Sequence, residues 1–275
     1  MLTELLFHAY ALTNRTGLLK KPWVRREFAR LYFLYKRFYE DPYFKLVRAH
    51  PDLFRDRHVM DVGANIGYTA LLFAQAADKQ ARIYAFEPDP DNFELLTEMV
   101  GARGFGDRIF PVCAAVGERE EDVELWRNPI SHADHRIWTS RFRGATPKPG
   151  QNLITVPMIT LDRFLAQNQL QMLPCFVKID VQGYELPVCR GMRETLDTNP
   201  DVIVAFEYTP EAMLSLGFEA AELLDLFRGR GFSLFHIVHE SGQLRPLAGA
   251  ITNVRGLNRR GYVELLAMRK TTSRR

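Results

Sequence analysis

Arg57-His58-Val59-Met60-Asp61-Val62-Gly63-Ala64-Asn65-Ile66-Gly67-Tyr68-Thr69 passes from an apolar run ending in an acid, through two glycines, into a helical apolar pattern. It reads as strand, tight loop and helix. Gly63 and Gly67 stand where a side chain would force a strained positive φ or keep a ligand off the backbone, and the loop amides point toward a helix N-terminus. Further along, Ile83-Tyr84-Ala85-Phe86-Glu87-Pro88 repeats the strand that ends in an acid. A carboxylate at the end of the second strand can accept two hydrogen bonds from a vicinal diol, so the two strand ends predict an adenosine-containing ligand. The Gly-x-x-x-Gly spacing is not the Gly-x-Gly-x-x-Gly of dinucleotide sites, which ranks an NAD-dependent oxidoreductase behind other readings.

Outward from this stretch, strands and helices alternate. A helix is expected from Gly67 to about Ala76, and Asp89-Pro90-Asp91 opens another that runs to Val100 and stops near Gly101. Ile109 to Val116 is a third strand, and the small Ala114 and Ala115 at its end leave room for a flat base. Leu153 to Ile159 alternates as a strand, and Thr160 caps the helix after it. Cys175 to Gly183 is a further core strand with Asp180 at its C-terminal end, and Lys178 shares a face with Asp180 by the two-residue period. A buried Lys178–Asp180 ion pair is the structural alternative to a functional role for Lys178. Glu185 to Leu196 reads as a helix, Asp201 to Tyr208 as a strand bearing Glu207, and Phe218 to Arg228 as a helix with Leu223, Leu224 and Phe227 inward. Gly231 to Val238 and Tyr262 to Met268 are the last strands. Alternation of this kind predicts a parallel, doubly wound α/β sheet whose ligand lies at the C-terminal strand ends, where Asp61, Glu87 and Ala115 gather.

Four segments in this order resemble the FkbM-type S-adenosylmethionine-dependent methyltransferases: Asp61 to Gly67, Phe86-Glu87-Pro88, Thr160-Leu161-Asp162 and Lys178 to Glu185. The resemblance spans roughly residues 57 to 240. One departure is Gln182, where the family usually carries Glu. The resemblance implies a mostly parallel seven-stranded, Rossmann-like sheet, with the last two strands antiparallel and the third strand end bordering adenine. It implies S-adenosylmethionine as cofactor, held by Asp61, Gly63, Asn65, Gly67, Glu87 and Ala115. A comparable Asp-His-Arg-Ile-Trp stretch follows the third strand in the family, so His135 and Arg136 join Asp180 and Lys178 as candidates at the acceptor.

The 275 residues suit one α/β domain over 56–275 with a helical extension over 1–55. Trp23 to Tyr39 places apolar residues at 24, 28, 31, 32, 35, 38 and 39, the spacing of one helix face. Packing on the domain is the plain expectation; a lid, a homodimer contact and, last, a membrane-surface contact are the alternatives. Apolar content of 47 % and charged content of 25 % are those of an ordinary globular chain, and a net charge of +3 spread along it leaves no nucleic-acid footprint. Cys113, Cys175 and Cys189 lack metal spacing, and Cys113 and Cys175 lie in apolar runs that predict buried thiols. With no signal-peptide pattern in Met1 to Tyr10 and no membrane-length apolar run, the cytoplasm is the expected location. The polar stretch from Asn128 to Gly150, carrying His132, Asp134, His135, Arg136 and Trp138, reads as a loop over the active edge.

A methyl sulfonium is already electrophilic, so alignment of the acceptor and removal of its proton are what remain for the protein. Asp180, His135 and His132 are the available bases. The expected activity is O-methylation of a sugar or other small hydroxylated metabolite, the partner being a small-molecule or glycan acceptor. A metal-assisted variant would draw on Asp180, Glu207 and His132 or His135. A silent S-adenosylmethionine-binding module is the alternative from another class.

Overall fold

The computed structural model describes residues 21–129, 131–140, 152–247, 249, 251 and 261–269. The expectations for Met1 to Tyr10, for part of the 128–150 loop and for the basic tail lie outside the described residues. In chain order the strands are β1 (His58–Val62), β2 (Ile83–Phe86), β3 (Ile109–Val112), β4 (Ala115–Val116), β5 (Glu121–Trp126), β6 (Arg136–Ile137), β7 (Leu153–Ile159), β8 (Cys175–Ile179), β9 (Ile203–Tyr208), β10 (Ser233–Ile237), β11 (Leu244–Pro246) and β12 (Val263–Met268). The helices are α1 (Pro22–Tyr35), α2 (Tyr43–Ala49), α3 (Tyr68–Ala76), α4 (Pro90–Ala102), α5 (Leu161–Gln167), α6 (Glu185–Arg190), α7 (Arg193–Thr198), α8 (Pro210–Ser215) and α9 (Ala220–Arg228).

Among them, eight strands form one sheet in the order β11-β10-β12-β9-β8-β1-β2-β3. From β3 to β9 every neighbour is parallel, and β12 inserts antiparallel between β9 and β10. Seven of these strands are the ones expected from the sequence. The eighth, β11, is the return arm of a hairpin on β10, and its Pro246 is tolerated because it lies at the sheet edge. Strands β1, β8 and β9 have apolar residues on both faces because helices cover both, which is the pattern of a buried parallel sheet. Phe73, Phe54 and Phe176 pack under one face, and Phe86, Phe206 and Phe227 under the other.

The alternation breaks between β3 and α5, as the polar insertion predicts. A second sheet of order β4-β7-β5-β6 forms there, with β4 breaking away from the end of β3 at Cys113 and Ala114. Cys113 is exposed rather than buried, because β3 is an edge strand; Cys175 and Cys189 are buried. The helix expected from Glu185 to Leu196 is two helices, α6 and α7. A Cβ at Gly191 between them would stand 1.8 Å from the Gly117 carbonyl, so only glycine fits where the chain bends against the end of β4.

Helix α1 packs on the domain, but not on the expected stripe. Tyr32 and Tyr35 are buried, whereas Leu31 and Phe38 are 56 % and 61 % exposed and Ala29 and Phe33 take inner positions instead. The helix widens into a π-turn at Lys36–Glu40, where Asp41 N–H donates to the Lys36 carbonyl at 2.9 Å, and this shifts Phe38 out of phase. No helix among the described residues is long and apolar enough to cross a membrane.

Candidate functional site

At the C-terminal edge of the main sheet lies a cavity of about 330 Å³. Its wall on the β1–β2 side is the glycine turn. Gly63 has φ +76° and Gly67 φ +90°; a Cβ on Gly63 would stand 1.9 Å from the Asp180 carbonyl, and one on Gly67 2.6 Å from Leu96 Cδ1. Asn65 also takes a left-handed φ of 50°, a conformation asparagine adopts with little cost. The turn therefore exposes backbone and Asn65 to the cavity, while Gly67 serves helix packing and does not line it.

Glu87 is 5 % exposed and its carboxylate faces the cavity. Its Oε2 accepts from the Asn65 N–H at 2.9 Å and its Oε1 from the Asp89 N–H at 3.0 Å, which fixes the carboxylate against the glycine turn. Burial, with Asp89 adding to it, pushes its pKa up to about 8 against the lowering pull of those hydrogen bonds. Ala114 and Ala115 line the neighbouring wall beside Phe86 and leave a flat apolar space.

Asp61 does not reach the cavity. It is fully buried, its Oδ2 accepts from the Thr69 hydroxyl at 2.6 Å, and its Oδ1 stands 3.2 Å from Lys178 Nζ. Lys178 also donates to the Gly63 carbonyl at 2.9 Å and lies 3.7 Å from Asp180 Oδ2. Burial works against this ammonium, but Asp61 and Asp180 outweigh it and hold its pKa above the ordinary lysine value. Lys178 is thus a fixed cation joining two acids, and the ion pair expected from the two-residue period is present. Asp180 lines the cavity with its side chain 25 % exposed, and Gln182 Nε2 donates to its Oδ1 at 3.0 Å. A glutamate at 182 would set a like charge there instead of a donor.

The other loop candidates separate. His135 lines the cavity on the Glu87 side; its Nδ1 accepts from the Asn128 N–H at 3.1 Å, which leaves the proton on Nε2, 3.9 Å from Asp89 Oδ2. Burial lowers its pKa, so it is neutral. His132 is wedged against Phe28 and Tyr32, with Nδ1 2.9 Å from Asn65 Oδ1, and burial takes its pKa down to about 3. Arg136 does not line the cavity: Ile137 does, and the two-residue period of β6 sends Arg136 to the opposite face.

Tyr43, Asp41 and Glu264 are among the contributors to the wall that the sequence reading missed. Tyr43 and Asp41 come from the extension, and Glu264 from β12. Glu264 is the register partner of Glu207 and its Oε2 accepts from the Tyr43 hydroxyl at 3.0 Å. The only available signal was a single acid inside an apolar strand. Among the described residues, no group of three or more His, Cys, Asp or Glu side chains is placed to hold a metal ion.

Among known proteins, the chain is 30 % identical over 150 residues to the hexuronic acid methyltransferase AglP of Haloferax volcanii, a stretch covering 54 % of this chain and 55 % of that protein. The chain therefore matches about half the length of that relative. The crystal structure of an FkbM methyltransferase from Methylobacillus flagellatus aligns over 78 % of this chain and 44 % of its own, with 17 % identity and a TM-score of 0.46. An O-methyltransferase from Bacillus cereus, in complex with SAH, aligns over 82 % of this chain and 78 % of its own, with 10 % identity and a TM-score of 0.47. The family described as Methyltransferase FkbM domain matches residues 61–234, well over half of the sequence, and the chain belongs to that family.

Proposed function

We propose that the protein is an O-methyltransferase that uses S-adenosylmethionine to methylate a hydroxyl of a sugar or another small hydroxylated metabolite. The observation that carries this is Glu87: a buried carboxylate at the end of the second strand, clamped by two backbone amides and open to the cavity. Each of its oxygens keeps a lone pair for a ribose hydroxyl. Gly63 and Asn65 present backbone to the ligand beside it, and Ala114 and Ala115 leave the space a purine needs. The residues present fit the cofactor.

S-adenosylmethionine, when bound, supplies a methyl group already activated as a sulfonium. The chain's own work is to align the acceptor and take its proton. Asp180 is the group for that proton, since it faces the cavity and is oriented by Gln182 and Lys178. Lys178 positions Asp180 and is no base, being held as a cation. His135 has its lone pair engaged by Asn128 and serves the Glu87 side of the cavity, not the acceptor. The Gln182 contact also favours chemistry over a silent binding module, because it fixes the orientation of the Asp180 carboxyl that faces the cavity. AglP, by its name, acts on a hexuronic acid, which supports reading the acceptor as a sugar. The buried free thiols Cys175 and Cys189 agree with a cytoplasmic setting.

Calorimetric titration with S-adenosylhomocysteine and with NAD tests the reading. Binding of the first and not the second is the expected result; binding of neither, or of NAD alone, overturns it.

A further inference from the structure

The outward face of α1 takes no part in the cavity, yet it is the most apolar exposed helix face described. Trp23, Leu31, Leu34 and Phe38 are 63, 56, 46 and 61 % exposed, half of the eight large apolar side chains that stand exposed among the described residues. Clustering of that kind marks an interaction surface. Arg26, Glu27 and Arg30 are exposed among them, and positions 23, 26, 27, 30, 31 and 34 follow the period of one helix face. The π-turn at Lys36–Glu40 continues this face with the exposed Arg37 and Phe38. The opposite side is anchored to the domain. Ala29, Tyr32 and Phe33 are buried, and Arg25 is held by Glu94, at 2.9 Å, and by Glu98, both on α4.

The same region concentrates positive charge. Residues 21–49 carry eight basic and three acidic side chains, a net +5 against +3 for the whole chain. Asp41, one of those acids, is buried, and Glu27 lies 3.9 Å from Arg30 on the exposed face. Arg37 stacks over the Phe44 ring of α2 at 4.3 Å and Arg48 lies over it at 5.6 Å, which extends the basic and aromatic surface.

Charge and shape together choose what covers this face. A second copy docking through a twofold axis would bring these arginines against the same arginines. A soluble polyanion would answer the charge and leave Leu31 and Leu34 in water. An anionic lipid surface answers both, since aromatic and aliphatic side chains enter the boundary between headgroups and acyl chains while arginines reach the lipid phosphates. We propose that α1, with Arg37 and Phe38 of the π-turn, lies in the plane of a membrane surface rich in anionic lipid and docks the protein there. Tyr32 and Lys36, on the other side of this segment, line the cavity, so docking sets the cavity roughly one helix diameter, about 10 Å, from the headgroups.

The docking needs no methyl transfer and is tested without substrate, by sedimenting the full chain with vesicles of equimolar phosphatidylglycerol and phosphatidylcholine or of phosphatidylcholine alone. Binding to the first, about tenfold or more stronger than to the second and weakened by added salt, is expected. Brominated lipid should quench Trp23 fluorescence, and W23F should lose that quenching. R26A/R30A/R37A and L31S/L34S/F38S should each weaken binding to the anionic vesicles about tenfold or more. The replaced side chains are exposed, so both variants keep the fold, which the melting temperature checks. No binding to anionic vesicles, equal binding to both kinds, or wild-type binding by either variant overturns the proposal. Loss in the arginine variant alone assigns the face to a soluble polyanion instead. A lipid-free dimer that L31S/L34S/F38S dissociates assigns it to a second copy and overturns the proposal equally.

Discussion

Lys178 Nζ lies 3.2 Å from Asp61 Oδ1 and 2.9 Å from the Gly63 carbonyl, so one ammonium ties the central strand, its glycine turn and the adjacent strand together. Removing it in Lys178→Met leaves Asp61 buried with the Thr69 hydroxyl as its remaining partner. Breaking a buried pair from one side costs on the order of 3–5 kcal/mol, which at this chain length is roughly 6–20 °C of melting temperature. Chemical denaturation should show that loss, and adding Asp61→Asn should recover part of it. A loss below about 1 kcal/mol would mean the pair is not what holds the turn.

Glu87→Ala should weaken S-adenosylhomocysteine binding by about 1–3 kcal/mol, roughly 5- to 150-fold, as the ribose hydroxyls lose their acceptor. Burial sets the pKa of Glu87 at about 8, so in the free protein at neutral pH the proton is largely on the carboxyl. Hydroxyl donors favour the ionised form, and binding therefore expels a proton. Titration heats at pH 7 in buffers of different ionisation enthalpy should diverge for the wild type and converge in the variant.

Glu264 is predicted to make the fold pH-sensitive. Burial first, then Asp180 and Asp41, raise it to about 8 against the pull of Tyr43 and Lys178, with Glu207 directly opposite. A carboxyl whose folded pKa lies above its unfolded value of 4.5 contributes stability that is complete below about 4.5 and is lost as pH rises through about 8. Glu264→Gln removes that titration. The melting temperature of the variant relative to wild type should rise from pH 5 to pH 9 by several degrees, each unit of pKa being worth about 1.4 kcal/mol. A constant difference across that range contradicts the assignment.

Arg136→Ala should leave S-adenosylhomocysteine affinity and acceptor turnover within about twofold of wild type, the range of a substitution away from a site. Its side chain lies on the face of β6 opposite Ile137. A tenfold or greater loss would restore the acceptor role that the Asp-His-Arg-Ile-Trp resemblance implied.

The strands at the centre were legible because burial on both faces writes them as unbroken apolar runs, and the acids at their ends mark the edge that faces ligand. Glu87 and Asp180 could be placed on that edge from local sequence alone. Asp61 looked equivalent, yet whether a strand-end acid faces the cavity or a neighbouring lysine depends on the register of β1 against β8, where Asp61 stands opposite Lys178. Arg136 entered as an acceptor candidate through the Asp-His-Arg-Ile-Trp resemblance, which says nothing of the face of β6 its side chain takes. The stripe on α1 failed for a different reason: aromatic residues occur on several sides of that helix, so periodicity could not say which of them packs. Tyr43 and Glu264, separated by 221 positions, meet only once the sheet has closed, and no local pattern announces such a meeting.

Strand β12 sits between β9 and β10, both of which precede it along the chain. The native sheet therefore keeps β9 and β10 apart by one strand width, and neither pairs with the other. Without β12, β9 and β10 would each lack a neighbour on that side and the cavity would lack the wall that Glu264 supplies. Closing the sheet and completing the cavity wall are thus one and the same event, since the strand that fills the gap also brings Glu264 to Tyr43.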